Sequence, residues 1–236
     1  MSFADNLVPL ITLIALEIIL GIDNIIFISI LADKLPLEQR DRLRYWGLGL
    51  AMLMRLALLA FLSWILQLDQ TLFTLGTIDF SGKGLILLVG GLFLIYKSTK
   101  EIYHKAEVGD DANAPDTTKA TFRDLLIQVL ILDMVFSIDS IITAVGMVDQ
   151  LWVMYTAVVV TVGVMLVASK PIASFISKHP SFKILALCFL LIIGMSLVAE
   201  GLHFTIPKGY IYFAMAFAFL VDFIQLKTVH PTKEKQ

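Results

Sequence analysis

Leu16 to Ile26 reads LEIILGIDNII and Leu132 to Ile142 reads LDMVFSIDSII. Each stretch sets two acids inside a long apolar run, Glu17 with Asp23 in the first and Asp133 with Asp139 in the second. A carboxylate at membrane depth costs about 2.5–3.5 kcal/mol on insertion scales, so four at matched positions demand a compensating partner. A cation is the obvious one.

The rest of the chain fits that setting. Of 236 residues, 58% are hydrophobic and 16% charged, and the mean hydropathy is +0.86, which lies outside the soluble range and suits an integral membrane protein. Spanning a hydrocarbon core takes about 20 apolar residues per helix. Runs of that kind lie at 7–31, 46–66, 84–98, 125–147, 152–175, 184–199 and 210–226, the third being the shortest. The expected fold is therefore all-α and integral to the membrane, with seven transmembrane helices. MSFADNLVPL has neither a basic n-region nor a small-residue cleavage site after the first run, so that helix reads as an uncut span. The single cysteine, Cys188, excludes a disulfide framework or thiolate cluster within one chain and reads as a packing residue.

Basic residues alternate between loops. The first loop carries Lys34, Arg40, Arg42 and Arg44, the third Lys97, Lys100, Lys105, Lys119 and Arg123, the fifth Lys170, Lys178 and Lys183, and the tail Lys227, Lys233 and Lys235. The second and sixth carry only Lys83 and Lys208, and the fourth none. By the positive-inside rule the N-terminus is outside and the C-terminus cytoplasmic. Laying 16–35 over 132–151 at an offset of 116 makes seven of twenty positions identical, including Asp23 with Asp139 and Asp33 with Asp149. Three helices separate the copies, so the two run in opposite senses, as in the inverted repeats of transporters. The expected organisation is a single membrane domain: a first three-helix repeat at 1–98, a polar cytoplasmic linker at 99–123, a second repeat at 124–205, a seventh helix at 206–226 and a tail at 227–236.

On an ideal helix Glu17 and Asn24 share a face, whereas Asp23 lies roughly 120° away. Asp133, Ser140 and Asp139 repeat the relation. For both acids of a motif to view one ligand the backbone must loosen between them, and Gly21 and Ser137 are where broken or kinked helices are expected. The candidate metal site comprises Glu17, Asp23, Asn24, Asp133, Asp139 and Ser140, all oxygen donors. Such a set suits a hard cation such as Mg, Ca or Mn rather than Zn, Cu or Ni. His104, His179, His203 and His230 all fall outside the spans.

The competing structural reading makes the carboxylates interhelical glue. Against it, only one base, Arg55, lies deep in a span, and four acids facing one arginine leave excess negative charge. A divalent ion cancels two of the remaining charges and a proton one more, which points to exchange of metal for protons. Arg55 is equally a structural charge partner. Lys170 reads as snorkelling to the interface. Glu200, Asp222, Asp124 and Gln128 fit vestibule or surface positions alike.

EIILGIDNIIFISIL, LDMVFSIDSIITAVG and the closing IPKGYIYFAMAFA resemble the TerC family of multi-pass bacterial membrane proteins over nearly the full chain. That resemblance implies a seven-helix inner-membrane protein related to the lysine-exporter superfamily. It also implies manganese efflux, supply of metal to exported enzymes and, historically, tellurite resistance. On it Glu17, Asp23 and Asn24 match the first motif and Asp133, Asp139 and Ser140 the second, with unequal half-sites.

The leading expectation is a secondary transporter, not an enzyme, exporting Mn2+ or a similar divalent cation. No GxxxxGK[ST] phosphate loop occurs, so an ion gradient or the membrane potential has to drive it. Alternatives are an assembly or metal-supply partner for exported proteins, a tellurite-resistance component, and an intramembrane aspartyl protease. The last is disfavoured by two symmetric acidic pairs and by Ile22, rather than glycine, before Asp23. Expected partners are the metal ion, protons and the lipid bilayer, with no nucleic acid and no cofactor.

Overall fold

The computed structural model describes residues 7–75, 78–108, 121–148 and 150–228. Most of the expected linker (109–120), Asp149, His230 and the tail from 229 lie outside the described residues. Helices dominate: α1 (Leu7–Ala32), α2 (Leu37–Ala60), a short α3 (Leu62–Gln67), α4 (Gly82–Tyr103), α5 (Phe122–Val145), α6 (Leu151–Lys178), α7 (Pro180–Gly201) and α8 (Lys208–Thr228). Between α3 and α4 a hairpin of β1 (Thr71–Leu75) and β2 (Ile78–Ser81) replaces the simple loop expected there. Its strands are antiparallel, with Phe73 opposite and stacked on Phe80.

Six of these helices, α1, α2, α5, α6, α7 and α8, are long and apolar enough to cross a membrane. The seventh long helix, α4, has 22 residues against the fifteen or so expected. It starts where Ser81 caps it, the hydroxyl accepting from Gly84 N at 3.0 Å. It runs past Ser98 because KSTKEIY contains no proline or glycine to stop it, and a π-helical turn at His104–Val108 carries it further. Glu101, paired with Lys34 at 2.5 Å, ties this end to the α1–α2 connection.

Packing follows a pattern of exchanged partners. α1 lies against α6 and α2 against α5, α2 also meets α6, and α4 pairs with α7. The α4–α7 contact is a glycine seam: a Cβ on Gly91 would stand 2.6 Å from Gly194 O, and one on Gly201 2.6 Å from Gly84 O. Without side chains there the backbones touch, which is how helices associate in lipid, where burial of apolar surface gives little drive. Gly84 meeting Gly201 while Gly91 meets Gly194 makes the two helices antiparallel.

The basic loops gather at one end, where Lys183 reaches Asp33 at 2.5 Å and Lys170 stands 3.8 Å from Asp41. Lys83, Lys208 and Glu200 collect at the other. α8 is peripheral, with only Ile211 and Met215 buried, and it exposes Tyr210, Phe213, Phe217 and Leu220 as an apolar outer face. Cys188 is exposed on α7 rather than packed in the core, since its neighbours Leu187 and Phe189 take the inward positions.

Candidate functional site

Both acidic motifs sit on unbroken α-helix. The break expected at Gly21 and Ser137 is absent, because α1 is helical from Leu7 to Ala32 and α5 from Phe122 to Val145. Gly21 admits a neighbour instead: a Cβ there would collide with Met165 Sδ of α6. Ser137 receives a hydrogen bond from Arg55 of α2. A continuous helix keeps the two acids of each motif on different faces, so they cannot view one ligand together.

The six expected ligand residues consequently fall into two sets, each drawing on both motifs. Glu17 and Asp133 meet through Arg55, whose Nη1 donates to Glu17 and whose Nη2 stands 3.4 Å from Asp133 Oδ1. Arg55 Nε donates to Ser137 Oγ at 3.1 Å, the Ser137 hydroxyl donates to Asp133 Oδ2 at 3.1 Å, and Asn24 Nδ2 donates to Asp133 Oδ1 at 3.0 Å. Arg55, Glu17 and Asp133 are all at most 6% exposed. A planar guanidinium with its fork of donors is the group suited to holding two carboxylates and a hydroxyl at once.

Asp23 and Asp139 form the other set, facing a buried cavity of about 30 Å³ together with Asn24, Ser140, Ser196 and Tyr212. Such a volume holds one or two water-sized groups. Its polar lining is oxygen apart from the Asn24 amide, Arg55 and Lys208. No hydrogen bond or ion pair among the described residues reaches the Asp23 carboxylate, although it is only 5% exposed. Asp139 is partnered. The Lys208 ammonium contacts its Oδ2, Lys83 lies 3.8 Å from Oδ1, and Oδ1 accepts no hydrogen bond. Both lysines also reach Glu200, at 3.3 Å from Lys83 and 3.6 Å from Lys208.

Arg55 is therefore not alone among bases. Lys83 and Lys208 come from the sparsely basic loops and look from sequence like topology markers, yet long side chains at helix starts carry their charge inward. Five carboxylates (Glu17, Asp23, Asp133, Asp139, Glu200) face three cations, an excess equal to the charge of one divalent ion. Among the described residues no group of three or more His, Cys, Asp or Glu is placed to hold a metal ion as it stands. His104, His179 and His203 do not line the cavity, and Asp222, Asp124 and Gln128 lie away from it.

Above the cavity, towards the end bearing Glu200, lies a larger vestibule of about 630 Å³ lined by Thr12, Thr143, Glu200 and Thr205. Leu20, Lys208 and Tyr212 line both spaces. Sequence reading missed Ser196, Tyr212, Lys83 and Lys208 as site residues. IPKGY held the only signal, a lysine directly between Pro207 and Gly209 at the head of a span.

The family model of the integral membrane protein TerC family matches residues 2–236. The chain belongs to the TerC family. UPF0053 protein YegH of Escherichia coli (strain K12) is 54% identical over 214 residues, 90% of this TerC chain and 40% of YegH. UPF0053 inner membrane protein YoaE of the same organism is 51% identical over 213 residues, 90% of this chain and 41% of YoaE. A UPF0053 protein of Haemophilus influenzae is 51% identical over 220 residues and 93% of each chain. This TerC chain thus spans about two-fifths of the length of YegH and YoaE but nearly all of the Haemophilus relative. No solved structure matches it. With six apolar helices and relatives named inner membrane proteins, it is a multi-pass protein of the bacterial inner membrane.

Proposed function

We propose that this TerC protein is a secondary transporter that exports a hard divalent cation, Mn2+ by preference, through alternating exposure of the Asp23–Asp139 cavity, with protons as the exchanged ion. The observation that carries the reading is the cavity itself: one aspartate from each motif, each followed by an oxygen-bearing residue (Asn24, Ser140), facing a space of ionic dimensions at membrane depth. Within its own lining Asp23 and Asp139 are balanced by Arg55 and Lys208. The excess of two negative charges that favours a divalent occupant arises when Glu17, Asp133, Glu200 and Lys83 just beyond the wall are counted as well. Unpartnered Asp23 supplies a first ligand without breaking any existing contact.

Alternating access needs two halves that can exchange roles, and the packing supports an inverted 3+3 repeat with α8 added. Exchanging α1 with α5, α2 with α6 and α4 with α7 turns the α1–α6 contact into α5–α2 and leaves α4–α7 and α2–α6 as self-paired contacts. The glycine seam obeys the same exchange. Gly84 and Gly91 correspond to Gly194 and Gly201, 110 positions on in each case, so the Gly84–Gly201 contact maps onto Gly194–Gly91. Arg55 against Ser137 likewise corresponds to Met165 against Gly21, Met165 standing 110 positions after Arg55 and Ser137 116 positions after Gly21, the offset of the two motifs. In this reading α4 is the third of seven spans, the N-terminus faces outward, and the end gathering Asp33, Lys183 and Lys170 is cytoplasmic.

The test is intracellular metal content in cells expressing the wild type, Asp23→Asn or Asp139→Asn. Wild type should lower cell manganese and both variants should not; equal manganese in all three would end the export reading. Mn2+ flux into proteoliposomes that ignores a pH gradient would remove the proton from it.

A further inference from the structure

We propose that Lys208 is a tethered counter-cation: its ammonium holds the place at Asp139 that a divalent ion takes, and in doing so closes the cavity to the outer vestibule. This inference rests on the cavity being the cation site. Four observations carry it.

Lys208 is the first residue of α8, yet its ammonium contacts Asp139 of α5 and lies 3.6 Å from Glu200 of α7, so one side chain fastens three helices. With Lys83 it brings two positive charges to those two carboxylates, which makes the group neutral in itself. A divalent ion binding at Asp139 therefore meets a carboxylate already neutralised, and gains its full attraction only when an ammonium leaves. The two cations compete.

Lys208 and Tyr212, one helical turn apart on α8, line both the inner cavity and the vestibule together with Leu20. What separates the two spaces is thus carried largely by one helix end. That end is lightly held. α8 buries only Ile211 and Met215, and residues 204–207 before it form no helix or strand. His203 takes a left-handed conformation (φ 65°) and its Nε2 donates to Asp79 O of the hairpin at 2.5 Å, and Phe204 N donates to Ala199 O at 2.8 Å, so the chain is anchored up to the start of 205–207. A shift of the α8 start about 205–207 would withdraw Lys208 and Tyr212 together, opening the vestibule to the cavity at the moment Asp139 is freed. Asp139 Oδ1 accepts no hydrogen bond but faces Lys83 at 3.8 Å, so Lys83 is the second ammonium that an ion arriving at Asp139 has to displace.

Binding of Mn2+ to purified full-length protein in nanodiscs, followed by electron paramagnetic resonance of free Mn2+, tests this. Lys208→Gln removes the competing charge while keeping length and polarity, and should tighten Mn2+ binding at least tenfold; Lys208→Arg should leave it within threefold. Lys83→Gln should tighten binding by a smaller factor, and it decides the matter on the same readout should Lys208→Gln not fold. Asp23→Asn separates the two claims. If Asp23→Asn abolishes binding while the lysine variants bind as wild type or more weakly, the counter-cation idea is overturned and the cation site stands. If wild type and Asp23→Asn bind Mn2+ equally, or neither binds it, the site reading fails and takes the counter-cation with it.

Discussion

Arg55→Met should be among the most damaging single changes in the membrane interior, and its cost can be set from the geometry. Arg55 Nη2 lies 3.4 Å from Asp133, and at an effective dielectric of about 20 opposite unit charges that close attract by about 5 kcal/mol. Glu17 adds a second contact to the same guanidinium. Desolvation offsets much of that attraction in the intact cluster, so the cluster is a weak net source of stability. Removing the cation alone is different, because it strands two carboxylates that are 3% and 6% exposed. Breaking a buried pair this way costs about 3–5 kcal/mol. The expected loss is of that size, read from unfolding midpoints in mixed micelles. Asp133→Asn leaves Arg55 paired with Glu17 and keeps an acceptor for Asn24, so it should cost about 1–3 kcal/mol. Combining the substitutions should cost at least 1 kcal/mol less than their sum, since each removes what makes the other harmful. Costs that add to within about 0.5 kcal/mol would refute the view of Arg55 as the clamp on the two inner carboxylates.

The two cavity aspartates should respond to neutralisation with opposite signs. Asp23→Asn relieves an unpartnered buried charge and should hold or raise stability by about 1 kcal/mol, whereas Asp139→Asn strands two lysines and should lower it by about 1–3 kcal/mol, both read from thermal midpoints of detergent-solubilised protein. Gly91→Ala puts a methyl group 2.6 Å from Gly194 O and 2.9 Å from Val198 N, backbone that yields only if α4 and α7 part, so a loss of about 1–3 kcal/mol is expected on the same measurement. Gly49→Ala is its control: nothing lies within 4 Å, and ordinary helix propensity predicts a gain of about 0.5–1 kcal/mol.

The helices were legible because their signal is compositional. Twenty apolar residues in a row leave few alternatives in lipid, and six of the seven expected runs overlie helices long and apolar enough to span. Which residues form the cavity was legible only in part. Asp23, Asn24, Asp139 and Ser140 follow from the motif pair, but Glu17 and Asp133 match them in type and position and yet turn to Arg55. The face on which each acid points depends on whether the helix loosens at Gly21, and a glycine serves a break and a close approach equally well. Met165 against Gly21 decides for close approach, and that contact joins residues more than a hundred positions apart. The lysines were hidden for a related reason. Alternation of charge between loops reports which side a loop lies on and says nothing of how far a side chain reaches back, so Lys83 and Lys208 counted as markers although they face Asp139.

A symmetric pair of halves has no preferred direction unless something breaks the symmetry, and on the proposed inverted repeat the motif carboxylates are matched while the cations are not. Arg55 has Met165 as its counterpart, a charge answered by a thioether. Lys83 and Lys208 face Asp139 at the vestibule end, whereas among the described residues no ion pair reaches Asp23, although Arg55 and Lys208 line the same cavity. On the proposed reading, a metal ion reaching Asp23 meets a free carboxylate, while the same ion at Asp139 meets one already neutralised by tethered lysines. Binding is therefore favoured at Asp23 and release from Asp139 is assisted, because returning ammonium groups displace the departing ion. Substituting the lysines then has a consequence beyond affinity. A neutral residue at 208 makes the two aspartates more alike and should reduce the asymmetry between inward and outward Mn2+ flux in oriented proteoliposomes, even as equilibrium binding tightens. A transporter that bound more tightly while keeping its full directional bias would place the source of direction elsewhere.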